Sequence, residues 1–141
     1  MVGELLHEIM AAIGKPVFTF DPAATRTRAQ EWLQTGKTMA WIARDEERGA
    51  VVGFLALYES YALYAEGAFA TISELYVRRQ ARSQGIGAAL VGEVQKVAQA
   101  RRWTRLEVTT PPFPQFERTY RFYEHQGFKI SGGRKMSLRL S

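Results

Sequence analysis

Val77-Arg78-Arg79-Gln80-Ala81-Arg82-Ser83-Gln84-Gly85-Ile86-Gly87-Ala88-Ala89-Leu90 joins two segments of different periodicity. Ahead of it, Ala70 to Val77 has the composition of a strand. Behind it, Ile86, Leu90, Val94, Val97 and Ala98 recur at helical spacing to about residue 100, and Arg105 to Val108 then alternates as a strand does. The unit is strand, turn, helix, strand, a crossover that lays its two strands parallel. Within the turn the spacing is Arg82, two residues, Gly85, one residue, Gly87. A helix N-terminus leaves backbone N–H groups unpaired and carries partial positive charge, so it is a natural anion site. Glycines let an anion's oxygens approach that backbone. Arg78, Arg79 and Arg82 add permanent charge and bidentate donors, each charge-assisted hydrogen bond contributing roughly 1.5 to 3 kcal/mol. A diphosphate matches such a turn; the plainer alternative is a tight turn with solvated arginines.

Other glycine-rich loops fit less well. A phosphate loop of the Gly-Lys-Ser/Thr kind is excluded because Ala88 and Ala89 follow Gly87. A dinucleotide fingerprint needs a third glycine where Leu90 stands, although Glu107 lies at the distance of its ribose-binding acid. Outward from the turn, Met39 to Arg44 and Ala50 to Tyr58 are strand-like runs around Asp45-Glu46-Glu47-Arg48-Gly49, which predicts a hairpin. Glu59 to Gly67 reads as an irregular, tyrosine-rich loop. Leu5, Leu6, Ile9, Met10 and Ile13 predict an amphipathic core helix ending at Gly14. Asp21-Pro22 caps a second helix that stops near Gly36. After Pro111, Pro112 and Pro114 a helix from about Gln115 to His125 is expected, then two short strands broken at Gly132-Gly133.

Composition narrows the function classes. The 141 residues fit one domain, and 46% hydrophobic with 12% aromatic residues supply a continuous core. With no cysteine there is no thiol nucleophile, disulfide or thiolate metal site, and His7 and His125 are too isolated for a metal cluster or a triad. No metal is expected. The formal charge of +5 favours a polyanionic partner, but the densest arginine group sits on the glycine turn, which argues for a phosphate-rich small molecule over a nucleic acid. Met1 to Gly14 lacks the features of a secretory signal, and no run approaches 18 apolar residues. The expectation is a soluble, cytoplasmic protein with neither membrane nor nucleic-acid partner; a homodimer stays open.

At this point the chain resembles the GCN5-related N-acetyltransferase (GNAT) family, whose pyrophosphate turn, Arg/Gln-x-x-Gly-x-Gly/Ala, is matched by Arg82, Gly85 and Gly87. Ile72 to Val77 is similar to the family's fourth strand, Arg105 to Val108 to its fifth, and Tyr123-Glu124-His125-Gln126-Gly127-Phe128 to its Tyr-x-x-x-Gly-Phe helix end. The resemblance implies a single α/β (α+β) domain over residues 1–141, its mixed, mostly antiparallel sheet flanked by helices around a central strand-helix-strand unit that binds acetyl-CoA. It implies cofactor contacts at Leu75, Tyr76, Val77, Arg82, Ser83, Gln84, Gly85, Ile86, Gly87 and Ala88, the pantetheine arm lying in a V-shaped opening between the two strands. It also departs from the family in two places. No strand precedes Val2 to Ile13, so the family's first strand is missing or displaced to residues 16–20, and Phe116 stands where an asparagine is common.

The activity so implied is transfer of an acetyl group from acetyl-CoA to a primary amine, directly within a ternary complex. A free alkylamine with a pKa of ~10.4 is mostly protonated at neutral pH, so a base is needed. The resemblance points to Glu74, with Glu107 in reserve, and to Tyr123 as the acid that protonates the departing thiolate, with Tyr120 as substitute. The loop Tyr58 to Glu66 is a candidate wall for the amine. A non-catalytic acyl-CoA sensor is the main rival; a basic nucleic-acid-binding module is a lesser one.

Overall fold

The computed structural model describes residues 1–14, 18–110 and 116–140. In chain order it contains α1 (Val2–Ile13), α2 (Pro22–Gln34), β1 (Met39–Arg44), β2 (Val51–Ala62), a 3-10 turn at Leu63–Ala65, β3 (Gly67–Val77), another at Arg79–Ala81, α3 (Ile86–Ala100), β4 (Leu106–Val108) and α4 (Glu117–His125). The strands form one sheet in the order β1-β2-β3-β4, antiparallel except for the β3–β4 pair. The mixed, mostly antiparallel sheet with its strand-helix-strand unit is therefore the one the sequence predicts.

Local chemistry sets the boundaries. Asp21 accepts a hydrogen bond from the Ala24 amide at 3.1 Å, capping α2 with Pro22 in its first turn. Gly14, at φ 68°, ends α1 in the left-handed conformation. In the β1–β2 turn the Asp45 carboxylate accepts from the amides of Glu47 (2.9 Å) and Arg48 (3.4 Å). The core lies between the sheet and α3, where Leu55 and Leu57 of β2, Ala70 and Ile72 of β3, Leu90, Val91 and Val94 of α3, and Trp103 form one cluster. Leu55, Leu57, Val91 and Val94 are completely buried, each worth roughly 1.5 to 3 kcal/mol of transfer free energy.

Four expectations change. The tyrosine-rich segment is not an irregular loop: β2 runs on to Ala62 and pairs with β3 from Gly67, because Ser60 meets Phe69, the Ser60 and Thr71 hydroxyls bond at 2.9 Å, and Glu59 accepts from the Trp103 indole at 2.5 Å. Only Leu63 to Glu66 turns. Residues 128–140 form no strand; Gly132 and Gly133 both take positive φ, and Ile130, Met136, Leu138 and Leu140 stay exposed without a ladder partner. No strand occurs at residues 18–20, and the rest of the expected displaced strand, residues 16 and 17, lies outside the described residues, as do the prolines of 111–115. Finally, α1 is no core helix, since none of its residues is buried.

One irregularity positions the site. Along β3 the pairing steps from Leu57↔Ile72 to Ala56↔Glu74, so Ser73 is an extra residue, a bulge whose hydroxyl donates to the Ala56 carbonyl at 3.3 Å. The insertion changes the parity of the strand: Ile72 and then Leu75 pack on the core, which turns Glu74 and Tyr76 to the other face. A regular strand would have carried Glu74 into the apolar side.

Candidate active site

β3 and β4 pair only from Ala70↔Leu106 to Ile72↔Val108. Beyond Ile72, β3 continues to Val77 and is held on one side by β2, while its β4-facing edge has no strand partner among the described residues. A cleft of about 620 Å³ opens there. Its floor is β3 from Ile72 to Val77, and one end is the turn into α3. Val108 and Thr109 close another side, α4 contributes Phe122 and Tyr123, and α1 forms the opposite wall with Leu5, Glu8 and Ile9.

The turn has the conformation the anion reading requires. Gly85 is the N-cap of α3 at φ 79°, and no side chain caps the first turn, so the amides there face the cleft without a protein acceptor of that kind. Ser83 also takes positive φ, 66°. The two glycines serve different needs. At Gly85 a Cβ would meet nothing within 4 Å, so its requirement is the left-handed backbone. At Gly87 a Cβ would come 3.0 Å from the Phe122 ring, so its bareness lets α4 close against α3.

The arginines are more engaged than their density in the sequence suggests. Arg82 donates through Nε to the Val77 carbonyl (2.8 Å) and through NH2 to Glu8 (2.7 Å), and Arg78 grips Glu4 at 3.0 and 3.2 Å. Arg79 has no ion-pair partner among the described residues, and it borders a separate groove with Gln80. The other oxygen of Glu8 accepts from the Tyr76 hydroxyl at 2.9 Å. Burial pushes the Glu8 carboxyl upward, but the hydrogen bonds from Arg82 and Tyr76 outweigh it and hold it below its usual range. Burial, then the bond to Glu8, pushes the Tyr76 phenol up to about 12.

Of the sequence-predicted site residues, Glu74, Leu75, Tyr76, Val77, Arg82, Ser83, Gly85, Ile86, Gly87, Ala88 and Tyr123 all line this one cleft. Gln84 does not. Glu107, the reserve base, pairs with Arg105 at 3.6 Å away from the lining, and Tyr120 is also outside it. Glu74 is half-buried and makes no hydrogen bond or ion pair among the described residues. Tyr123 is 6% exposed, its ring edge-on to Phe122 (5.2 Å) and Phe128 (5.4 Å). Burial pushes its phenol up to about 12. The arrangement places an unpaired carboxylate and a firmly protonated phenol on the walls of a cleft that ends at an open helix start.

Sequence reasoning missed the α1 wall. The signal was present, since Glu4 and Glu8 stand one turn apart beside Leu5 and Ile9, opposite in charge to Arg78 and Arg82. It also misplaced the tyrosine-rich segment, which turns at the far end of β2 and β3 and contributes nothing to the cleft. Among the described residues no group of acidic or histidine side chains could hold a metal ion, and no helix is long and apolar enough to cross a membrane.

Four helices around a four-stranded mixed open sheet, with an uncapped helix start at the end of the cleft, match the fold of solved acetyltransferase structures. The model of the acetyltransferase (GNAT) family matches residues 6–128, and the chain belongs to that family. Comparison with curated proteins finds no match. Among solved structures, a probable acetyltransferase is similar at 20% identity, covering 99% of this chain and 90% of that one with a TM-score of 0.79. Ribosomal-protein-alanine N-acetyltransferase from Brucella melitensis biovar Abortus 2308 is 25% identical over 81% of this chain and 79% of its own, with a TM-score of 0.66. AAC(6')-Iy in complex with the bisubstrate analogue CoA-S-monomethyl-acetylneamine is 16% identical, covers 86% and 82%, and has a TM-score of 0.72.

Proposed function

We propose that the protein is an acetyl-CoA-dependent N-acetyltransferase that passes an acetyl group directly to a primary amine. The observation that carries this reading is the uncapped start of α3, which opens into the same cleft as Glu74 and Tyr123. Membership of the acetyltransferase family and the likeness to a structure holding a coenzyme A bisubstrate analogue support it.

The residues fit such a donor in three ways. The first-turn amides of α3, from Ile86 to Ala88, receive the diphosphate, and the helix dipole favours its charge. The β3 edge from Ser73 to Val77, unpaired among the described residues, offers backbone donors and acceptors to the amide-bearing pantetheine arm, as a strand would use them. The thioester supplies an acyl carbon ready for attack. Glu74 takes a proton from the incoming ammonium, directly or through a water, so that the nitrogen lone pair is free. As the C–N bond forms and the C–S bond breaks, Tyr123 gives its proton to the departing sulfur, and the proton shed by the new amide nitrogen restores the phenol, directly or through water; a phenol raised to about 12 is protonated throughout the neutral range and ready to do so. Holding the two reactants together supplies ~7 to 11 kcal/mol, so neither side chain carries the rate alone.

The test has two arms. Acetyl-CoA at ~100 times its dissociation constant adds about 2.7 kcal/mol to the folded state, so it raises the melting temperature. Incubation with a panel of amines then releases free thiol in the presence of an accepted one. No thermal shift at millimolar acetyl-CoA overturns the reading, and a shift with no thiol released by any amine leaves the protein a sensor of acyl-CoA.

A further inference from the structure

We infer that Glu8, on the N-terminal helix, is a positioning residue that sets the shape of the donor site from the α1 wall of the cleft, an inference that rests on the turn into α3 being that site. Its two carboxylate oxygens are divided between two parts of the cleft. Oε2 accepts from the Arg82 guanidinium at 2.7 Å, and the same guanidinium donates to the Val77 carbonyl at 2.8 Å. Arg82 thus laces the end of β3 to the start of the glycine turn, and Glu8 holds the lacing from the far side. Oε1 accepts from the Tyr76 hydroxyl at 2.9 Å, fixing a buried ring on the strand whose free edge faces the cleft.

The geometry around Glu8 distinguishes this role from ordinary helix docking. α1 has no fully buried residue, and its apolar side chains Leu5, Leu6, Ile9, Met10 and Ile13 are only half-buried, so its polar anchors share in fixing its place. Its polar anchors are Glu8 and, one turn earlier, Glu4 on Arg78, and all of them end on the segment from Tyr76 to Arg82. A guanidinium freed of Glu8 regains rotamer freedom and can leave Val77, which undoes the lacing at the start of a turn whose Ser83 and Gly85 both take positive φ. In this reading Glu8 bonds neither the α3 amides that receive the diphosphate nor the reacting atoms; it acts through Arg82 and Tyr76.

The experiment compares the wild type with Glu8→Ala and Glu8→Gln, using amide hydrogen exchange of the ligand-free protein over residues 76–88 and calorimetric titration with coenzyme A. Glu8→Ala is expected to speed exchange across the turn and to weaken coenzyme A by about tenfold, the equivalent of one charged hydrogen bond. Glu8→Gln keeps one acceptor oxygen for Arg82 and turns its amide NH2, a donor, toward the Tyr76 oxygen, so it recovers part of both. Near-ultraviolet circular dichroism confirms that the core, which Glu8 does not touch, is intact in each variant. Unchanged exchange in Glu8→Ala overturns the inference, as does tighter coenzyme A binding, which would make Glu8 a competitor of the diphosphate. Faster exchange in Glu8→Ala in a protein whose wild type binds no coenzyme A keeps the positioning role and sinks the proposed function alone.

Discussion

Tyr123, the proposed acid, is held rigidly. Phe122 and Phe128 hold its ring edge-on, burial keeps its phenol protonated, and its hydroxyl makes no hydrogen bond among the described residues. Tyr123→Phe therefore removes a proton donor without removing a structural bond. Turnover is expected to fall by about 100-fold while the melting temperature and the KM for acetyl-CoA stay near their wild-type values. Steady-state kinetics beside a melting curve checks this, and an unchanged kcat dismisses the residue as the acid. Glu74→Gln should lower kcat/KM, since the carboxylate proposed to accept the ammonium proton is gone; an unchanged kcat/KM assigns that role to another group.

At the scale of single elements, the glycine turn and α3 behave as one part. Gly85→Ala forces a Cβ into a left-handed backbone at φ 79° and should cost about 1 to 2 kcal/mol in urea unfolding. The same change should weaken coenzyme A, because relief of that strain turns the first amides of α3 out of the cleft. Leu57→Ala, in the sheet beneath α3, should cost about 2 to 5 kcal/mol with little effect on the turn. The elements most legible in the sequence were those with a strong local cause: the Asp21-Pro22 cap, the Asp45 to Gly49 hairpin turn, and the helix that follows Gly85-Ile86-Gly87. The spacing of Arg82, Gly85 and Gly87 also brought nearly every candidate site residue into one cleft. What stayed hidden depends on partners remote in the chain. The bulge at Ser73 exists only in the pairing of β3 with β2, the place of Glu8 only in its reach across 74 positions to Arg82, and the continuation of β2 through Glu59 only through Trp103. Met136 and Leu138 alternate like a strand, yet alternation makes none without a neighbour to pair with.

For the molecule as a whole, acid should loosen the α1 wall before it unfolds the core. The folded Glu8 carboxyl lies below the ordinary 4.5, facing Arg82 and Tyr76 with Arg79 and Glu4 nearby, so its stabilising contribution is complete above that value and fades as pH falls through the lowered one. Wild type and Glu8→Gln should differ in melting temperature near neutrality and converge as pH drops below about 4; a gap that persists in acid means the carboxylate is not what Arg82 holds. Among the described residues β3 runs on past the end of its pairing with β4, and an edge so left displays a row of main-chain groups to any extended polypeptide; nothing in hydrogen bonding tells a guest arm from a stray segment of another molecule. The empty protein should therefore be the form prone to self-association on storage, with coenzyme A acting as a guard; light scattering at rising concentration, with and without it, reads the difference.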